Sequence, residues 1–211
     1  MGTRIMATII PRNGDMEQLS LIKRKLKEFD FYPELRWDLC RDTTLNSCVK
    51  YLDTMEAEEI PAIFTYRSDD RRSSEEFYSI AKDYRNLVLD MDMEQYVNSS
   101  LQLSKEKLIL SSHYINEVET LPRMEYILSQ HSGAIKLACP FTHDFLLSIL
   151  NNVNKIHLDQ AISIVPQDSG NKYLRIMAAL LNSDFTYSYL ETPVVPSQFS
   201  LENLDSLLHK F

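Results

Sequence analysis

Short apolar runs alternate along this chain with longer stretches whose apolar residues recur at helical spacing. Eight of these runs read as strands: Ile5–Ile10, Glu34–Leu39, Ala62–Arg67, Leu87–Asp92, Leu108–His113, Ala134–Cys139, Gln160–Val165 and Phe185–Leu190. Most are rich in Ile, Leu and Val, as strands covered on both faces should be. Their starts recur roughly every 26 residues, which leaves room for one helix after each strand. Leu19, Ile22, Leu26 and Phe29 fall on one helical face, as do Phe77, Ile80, Ala81 and Tyr84. Ser73 with Glu76 makes a capping box for the third helix. A short fourth helix falls near Met93–Leu101, and Leu201, Leu204, Leu207, Leu208 and Phe211 form the stripe of the last one.

This pattern predicts an α/β protein, a single (β/α)8 TIM barrel with short loops that forms one domain over residues 1–211. The structural rival is an open doubly wound sheet, which usually carries a glycine-rich phosphate turn after its first strand. Here Pro11-Arg12-Asn13-Gly14 follows that strand, so the barrel is preferred.

Residues two apart in a strand share a face. In the second predicted strand Leu35, Trp37 and Leu39 suit the surrounding helices, so Glu34, Arg36 and Asp38 should point into the barrel. Arg67 ends the third predicted strand and His113 the fifth. Lys136 lies inside the sixth, flanked by Ala134 and Ala138 on the same face. Barrel enzymes place their catalytic groups at the C-terminal strand ends, and several inward ionisable groups are too costly to bury by accident.

Lys136 is the nucleophile candidate. An amine attacks a carbonyl only when deprotonated, and burial together with like charges from Arg36 and Arg67 would favour that state. His113 is the candidate acid–base, with Glu34 expected to orient its imidazole. The arginines suit bidentate capture of a carboxylate. The constellation points to Schiff-base chemistry on a small anionic carbonyl compound. His131, His143 and His157 are read as structural or surface groups, and Asp69-Asp70-Arg71-Arg72-Ser73 as a solvated loop and cap with the alternative of a substrate lid.

Composition narrows the setting. Apolar residues make up 44% and charged residues 25%, which is ordinary for a globular domain, and no apolar run is long enough to span a membrane. The net charge of −8 disfavours nucleic acid and anionic membranes as partners. Cys40, Cys48 and Cys139 lack paired spacing and read as reduced thiols, which implies a cytoplasmic location. Zinc-type clusters, nucleophile elbows and phosphate-loop motifs are absent from the sequence.

PELRWD (33–38), IFTYRS (63–68), LILSSH (108–113) and AIKLACP (134–140) resemble the successive active-site motifs of type I 3-dehydroquinate dehydratases. LRIMAALLNS (174–183) and VVPSQFSLENL (194–204) resemble that family's closing segments. The resemblance implies a hydro-lyase of the shikimate pathway, serving aromatic amino acid biosynthesis without metal or cofactor as a homodimer. It would convert 3-dehydroquinate, a carboxylate, to 3-dehydroshikimate. On the matching positions, Lys136 would form the imine, His113 would move the proton and Glu34 would pair with His113. Arg36, Arg67 and Arg175 would hold substrate, with Tyr187 as an aromatic wall, Gln198 contacting hydroxyls and Thr8 at a small hydroxyl position. Two loops depart from the family's pattern. Asp69–Arg72 stands where the family continues into a glycine-containing loop with a glutamate, and Val194 stands where a serine hydroxyl would help hold substrate. The alternatives are a Schiff-base aldolase and an inactive barrel that only binds.

Overall fold

The computed structural model describes residues 3–12, 14–113, 126–127, 129–130, 132–139, 142–153, 160–167 and 171–210. Eight parallel strands follow in chain order: β1 (Arg4–Ile9), β2 (Phe31–Arg36), β3 (Ala62–Thr65), β4 (Leu87–Asp92), β5 (Leu108–His113), β6 (Ala134–Cys139), β7 (Ala161–Pro166) and β8 (Phe185–Tyr189). They form one sheet in the order β7-β6-β5-β4-β3-β2-β1-β8, curled into a nearly closed (β/α)8 barrel. The free edges of β7 and β8 meet through mixed bonds. Ile162 N–H donates to Asp184 Oδ2 at 2.7 Å, Ile164 N–H donates to the Ser183 hydroxyl at 3.0 Å, and the Ser163 hydroxyl donates to the Phe185 carbonyl at 2.7 Å.

The described helices are α1 (Met16–Glu28), α2 (Leu45–Ala57), α3 (Arg71–Ala81), α4 (Met93–Asn98), α5 (His143–Val153), α6 (Tyr173–Asn182) and α7 (Leu201–Leu208). Side-chain caps fix their starts: Asp15 accepts from Gln18 N–H, Asp70 from Arg72 N–H, Asp92 from Glu94 N–H and Ser200 from Asn203 N–H. Asp70, not Ser73, caps α3, so the helix begins at Arg71 and absorbs part of the expected loop. The Ser73 hydroxyl supports that cap by donating to Asp70 Oδ2 at 2.6 Å.

The second strand begins three residues earlier than the pattern predicts, and a 3-10 turn over Trp37–Leu39 replaces its expected end. Pro33 is the reason. Proline has no N–H for a ladder, yet it fits here because the β3 ladder begins only at Glu34, and Pro33 pairs on the β1 side alone. The shift leaves Asp38 outside the strand and puts Glu34 and Arg36 at its C-terminal end.

Alternation separates two cores. Leu35, Trp37, Leu52, Met55, Phe64, Tyr78 and Leu89 pack between sheet and helices, each buried completely. Trp37 stacks at a tilt on Tyr51 with ring centroids 5.7 Å apart. Burying one such side chain stabilises the fold by about 1.5–3 kcal/mol. Inside the barrel, Met6, Ile63, Ile109 and Phe185 form an apolar floor. Two residues further along the same faces the lining becomes polar, with Thr8, Thr65, Ser111, Lys136 and Ser163 all buried. Directly before β6, Gly133 allows a close approach. A Cβ there would lie 2.7 Å from the Lys105 carbonyl oxygen. Among the described residues no helix is long and apolar enough to cross a membrane.

Candidate active site

Lys136 stands at the middle of β6 and projects into the barrel, 5% exposed. Its ammonium donates to Asp90 Oδ2 at 2.8 Å and to Glu34 Oε1 at 3.2 Å. The Tyr187 ring lies 3.8 Å from Nζ, close enough for a cation–π contact. Arg36 does not crowd the lysine as expected. It is held by Asp38 through two bonds, Nε to Oδ1 at 2.9 Å and Nη2 to Oδ2 at 2.6 Å.

Both carboxylates are almost wholly buried. Burial alone would raise the Glu34 carboxyl, but Lys136, then Arg36 and a bond from Thr8, hold it below the usual carboxylate range. Thr8 donates that bond to Glu34 Oε2 at 2.7 Å. Asp90 is likewise raised by burial, yet Lys136 and Arg67 together keep it well below the usual range. Asp90 received no role from the sequence. Its signal was available, because Asp90 and Asp92 in LVLDMD share one face in the way that Glu34 and Arg36 do.

His113 ends β5 at the mouth of the barrel. Its Nδ1 lies 3.3 Å from Asp92 Oδ2, at the end of the adjacent strand. Glu34 is therefore not its partner: Glu34 sits deeper and is engaged by Lys136 and Thr8. Desolvation, then the Arg67 guanidinium, lowers the His113 pKa to about 4 despite the opposing Asp92 bond. A cavity of about 860 Å³ opens here, lined by Arg67, Arg71, Asp92, Gln95, His113 and Gln167.

Two arginines reach the interior with bare donors. Arg67 Nε and Nη2 are buried without a hydrogen-bond partner, and Nη2 lies 3.9 Å from Asp90 Oδ2. Arg175, in the first turn of α6, donates from Nε to the Ser197 hydroxyl at 3.2 Å and leaves Nη1 unpartnered. Burial lowers its pKa to about 10, opposed by Glu34. Unsatisfied buried N–H groups are costly, and an anionic ligand would satisfy them.

Gln198 anchors the loop after β8. Its Oε1 accepts from Val194 N–H at 2.7 Å and Val195 N–H at 3.3 Å, while Nε2 donates to Thr8 Oγ1 at 3.2 Å and the Ser188 carbonyl at 3.4 Å. Bonds thus run from this loop through Gln198, Thr8 and Glu34 to Lys136. The structure brings Lys136, Glu34, Thr8, Tyr187, Arg67 and His113 around one interior. It ties Arg36 to Asp38 and Gln198 to its own loop. Arg72 is solvated and paired with Glu76 at 3.3 Å, whereas Arg71 faces the cavity. His131 and His157, like the side chain of His143, lie outside the described residues.

The model of the family described as type I 3-dehydroquinase matches residues 15–211. The chain belongs to the type I 3-dehydroquinase family. A curated relative of this dehydroquinase, the 3-dehydroquinate dehydratase of Thermoplasma volcanium, is 21% identical over 168 residues, covering 78% of this chain and 70% of the relative. The enzyme of the same name from Thermoplasma acidophilum is 22% identical over 166 residues, covering 78% and 72%. Among solved structures, a type I 3-dehydroquinate dehydratase from Clostridium difficile, described as carrying covalently modified comenic acid, superposes with a TM-score of 0.77. It shares 18% identity over 100% of this chain and 92% of its own, a likeness of fold.

Proposed function

We propose that this dehydroquinase converts 3-dehydroquinate to 3-dehydroshikimate through a Schiff base on Lys136. The observation that carries the reading is a buried lysine between two carboxylates, below a mouth that holds a histidine and unsatisfied arginine N–H groups. The family and the names of its relatives support the same substrate.

The substrate carboxylate would meet Arg175 and Arg67, whose bare donors suit charge-assisted bonds. Attack on the C3 ketone needs a proton to leave the ammonium, and Asp90 at 2.8 Å is placed to hold it. That proton returns with the carbinolamine oxygen, which departs as water and leaves an iminium. Glu34 and Asp90 then face this cation as they faced the ammonium, so little reorganises as the charge moves. The iminium makes the C2 proton more acidic. Neutral His113 takes it, forming an enamine, and delivers a proton to the C1 hydroxyl as that group leaves as a second water. Hydrolysis of the conjugated iminium consumes one water and restores Lys136. The net change is loss of one water from substrate.

Incubating the chain with 3-dehydroquinate should produce an absorbing enone, and borohydride added during turnover should leave an adduct on the peptide spanning Ala134–Pro140. No enone, or an adduct on Lys172 instead, would overturn the reading. The family resemblance also supports a homodimer, and the reduced thiols Cys40 and Cys48 support a cytoplasmic location. Sedimentation at a single-chain mass would remove the dimer.

A further inference from the structure

We propose that Asp92 is the positioning residue for His113, fixing which imidazole nitrogen acts as the base and supporting the imidazolium when it forms. The inference rests on the dehydratase reading above and adds to it a residue that the motif resemblance leaves without a role.

The placement follows from the sheet. Asp92 pairs in register with Ser111, and His113 lies two residues further along the same inward face of β5. The two side chains therefore converge at the rim, with Asp92 Oδ2 at 3.3 Å from His113 Nδ1. The aspartate is itself held still. Its Oδ1 accepts from Glu94 N–H at 2.9 Å as the cap of α4, so its second oxygen is presented in a fixed direction. A carboxylate accepts and does not donate, so the Nδ1 it faces carries the proton and Nε2 keeps its lone pair.

The surrounding charges make such a partner necessary. Arg67 from the loop after β3 and Lys136 from β6 both oppose a positive imidazole, while Asp90 and Asp92 from β4 favour it. Glu34 is occupied by Lys136 and Thr8 at a deeper level. Of the described acids near the mouth, Asp92 is the one in contact with the ring. The histidine must become positive each time it removes the C2 proton, beside two cations, and the Asp92 carboxylate in contact with the ring offsets that repulsion.

Because Asp92 also caps α4, the test must separate the two roles. Ser and Asn are both good caps, so Asp92→Ser keeps the helix start but does not reach the imidazole, and Asp92→Asn keeps the shape without the charge. Nitrogen-15 NMR of the free chain, with His113→Asn for assignment, should show the Nδ1–H tautomer in the wild type. In Asp92→Ser a mixture of tautomers should appear, with a lower His113 pKa. Both variants should still form the borohydride-trapped adduct. Turnover in Asp92→Ser should fall about tenfold to a hundredfold, part of the ~10²–10⁴ that a general acid–base group contributes. The acid limb of kcat should change along with it. Unchanged tautomer and pH profile, with only a lower Tm, would reduce Asp92 to a cap and overturn the proposal. A wild-type chain giving neither adduct nor enone would instead remove the dehydratase reading, and the catalytic meaning of Asp92 with it.

Discussion

Lys136 and Asp90 meet at 2.8 Å in the barrel interior, and Glu34 extends that ion pair to a buried triad at 3.2 Å. The lysine is thus a structural cation as well as a nucleophile candidate. Removing one member of such a group leaves uncompensated buried charge, which costs about 3–5 kcal/mol.

Lys136→Met should therefore abolish turnover and also change how stability depends on pH. In the wild type, Glu34 and Asp90 are held below their ordinary pKa values, so their contribution is present above the unfolded carboxylate range and is lost as pH falls. Without the cation, burial raises both carboxyls, and their ionisation becomes a penalty that grows as pH rises. Thermal unfolding of the two proteins should show a Tm gap that is small near pH 4 and wide at pH 7. A gap independent of pH would refute the triad.

His113, with its pKa lowered to about 4, is neutral at every pH above that value. The acid limb of kcat/KM should therefore lie near pH 4, well below the ~6.5 of an unperturbed imidazole. The same depression adds a stability term that is full above the unfolded pKa and is lost as pH falls through about 4. His113→Ala should lose ~10²–10⁴ of the rate while still accumulating the trapped adduct. A limb at the unperturbed position, measured in a pH-rate series, would contradict the assigned environment.

The cations around the mouth should rank by burial. Arg175→Ala should raise KM most, because it removes the buried donor that remains unsatisfied beside Ser197. Arg71→Ala should weaken binding modestly and in a salt-dependent way, since Arg71 faces the solvated cavity. Arg72→Ala should match wild type, as its pair with Glu76 is exposed and such pairs contribute about 0–1 kcal/mol. Steady-state kinetics at two salt concentrations checks the order, and an Arg72 effect equal to that of Arg175 would break it.

Gly133→Ala should lower stability by about 1–3 kcal/mol, because the new methyl meets the Lys105 carbonyl rather than a flexible side chain. Denaturant unfolding measures this, and an unchanged midpoint would show that the backbone before β6 yields.

The repeat of strand and helix carried the architecture, and seven strands begin within a residue of where the apolar runs place them. β2 slipped because Pro33 reads as a break, whereas one-sided pairing makes it acceptable. Lys136, His113 and Glu34 were legible from i, i+2 alternation. Their partners were not, because pairing depends on depth along the barrel axis, which alternation does not encode. Glu34 was assigned to His113, yet it lies lower and bonds Lys136. The acids Asp90 and Asp92 were overlooked although they alternate within a strand that was itself recognised. Gln198 is expected to contact substrate; its bonds to Val194 and Val195 stay within its own loop, and its bond to Thr8 joins segments far apart in sequence, which alternation does not encode.

The meeting of β7 and β8 has a dynamic consequence. Ile162 and Ile164 donate their amides to the side chains of Asp184 and Ser183, groups freer to rotate than a strand backbone. This line is where the cylinder can breathe at least cost, and amide exchange should report openings there before the β1–β2 ladder yields. A ligand joined to Lys136 on one side and packed against Tyr187 on the other would span the same line like a strap. Occupancy would then slow exchange along β7 and β8 more than its mass-action stabilisation slows it elsewhere, turning the weakest edge of the cylinder into a gauge of whether the site is filled.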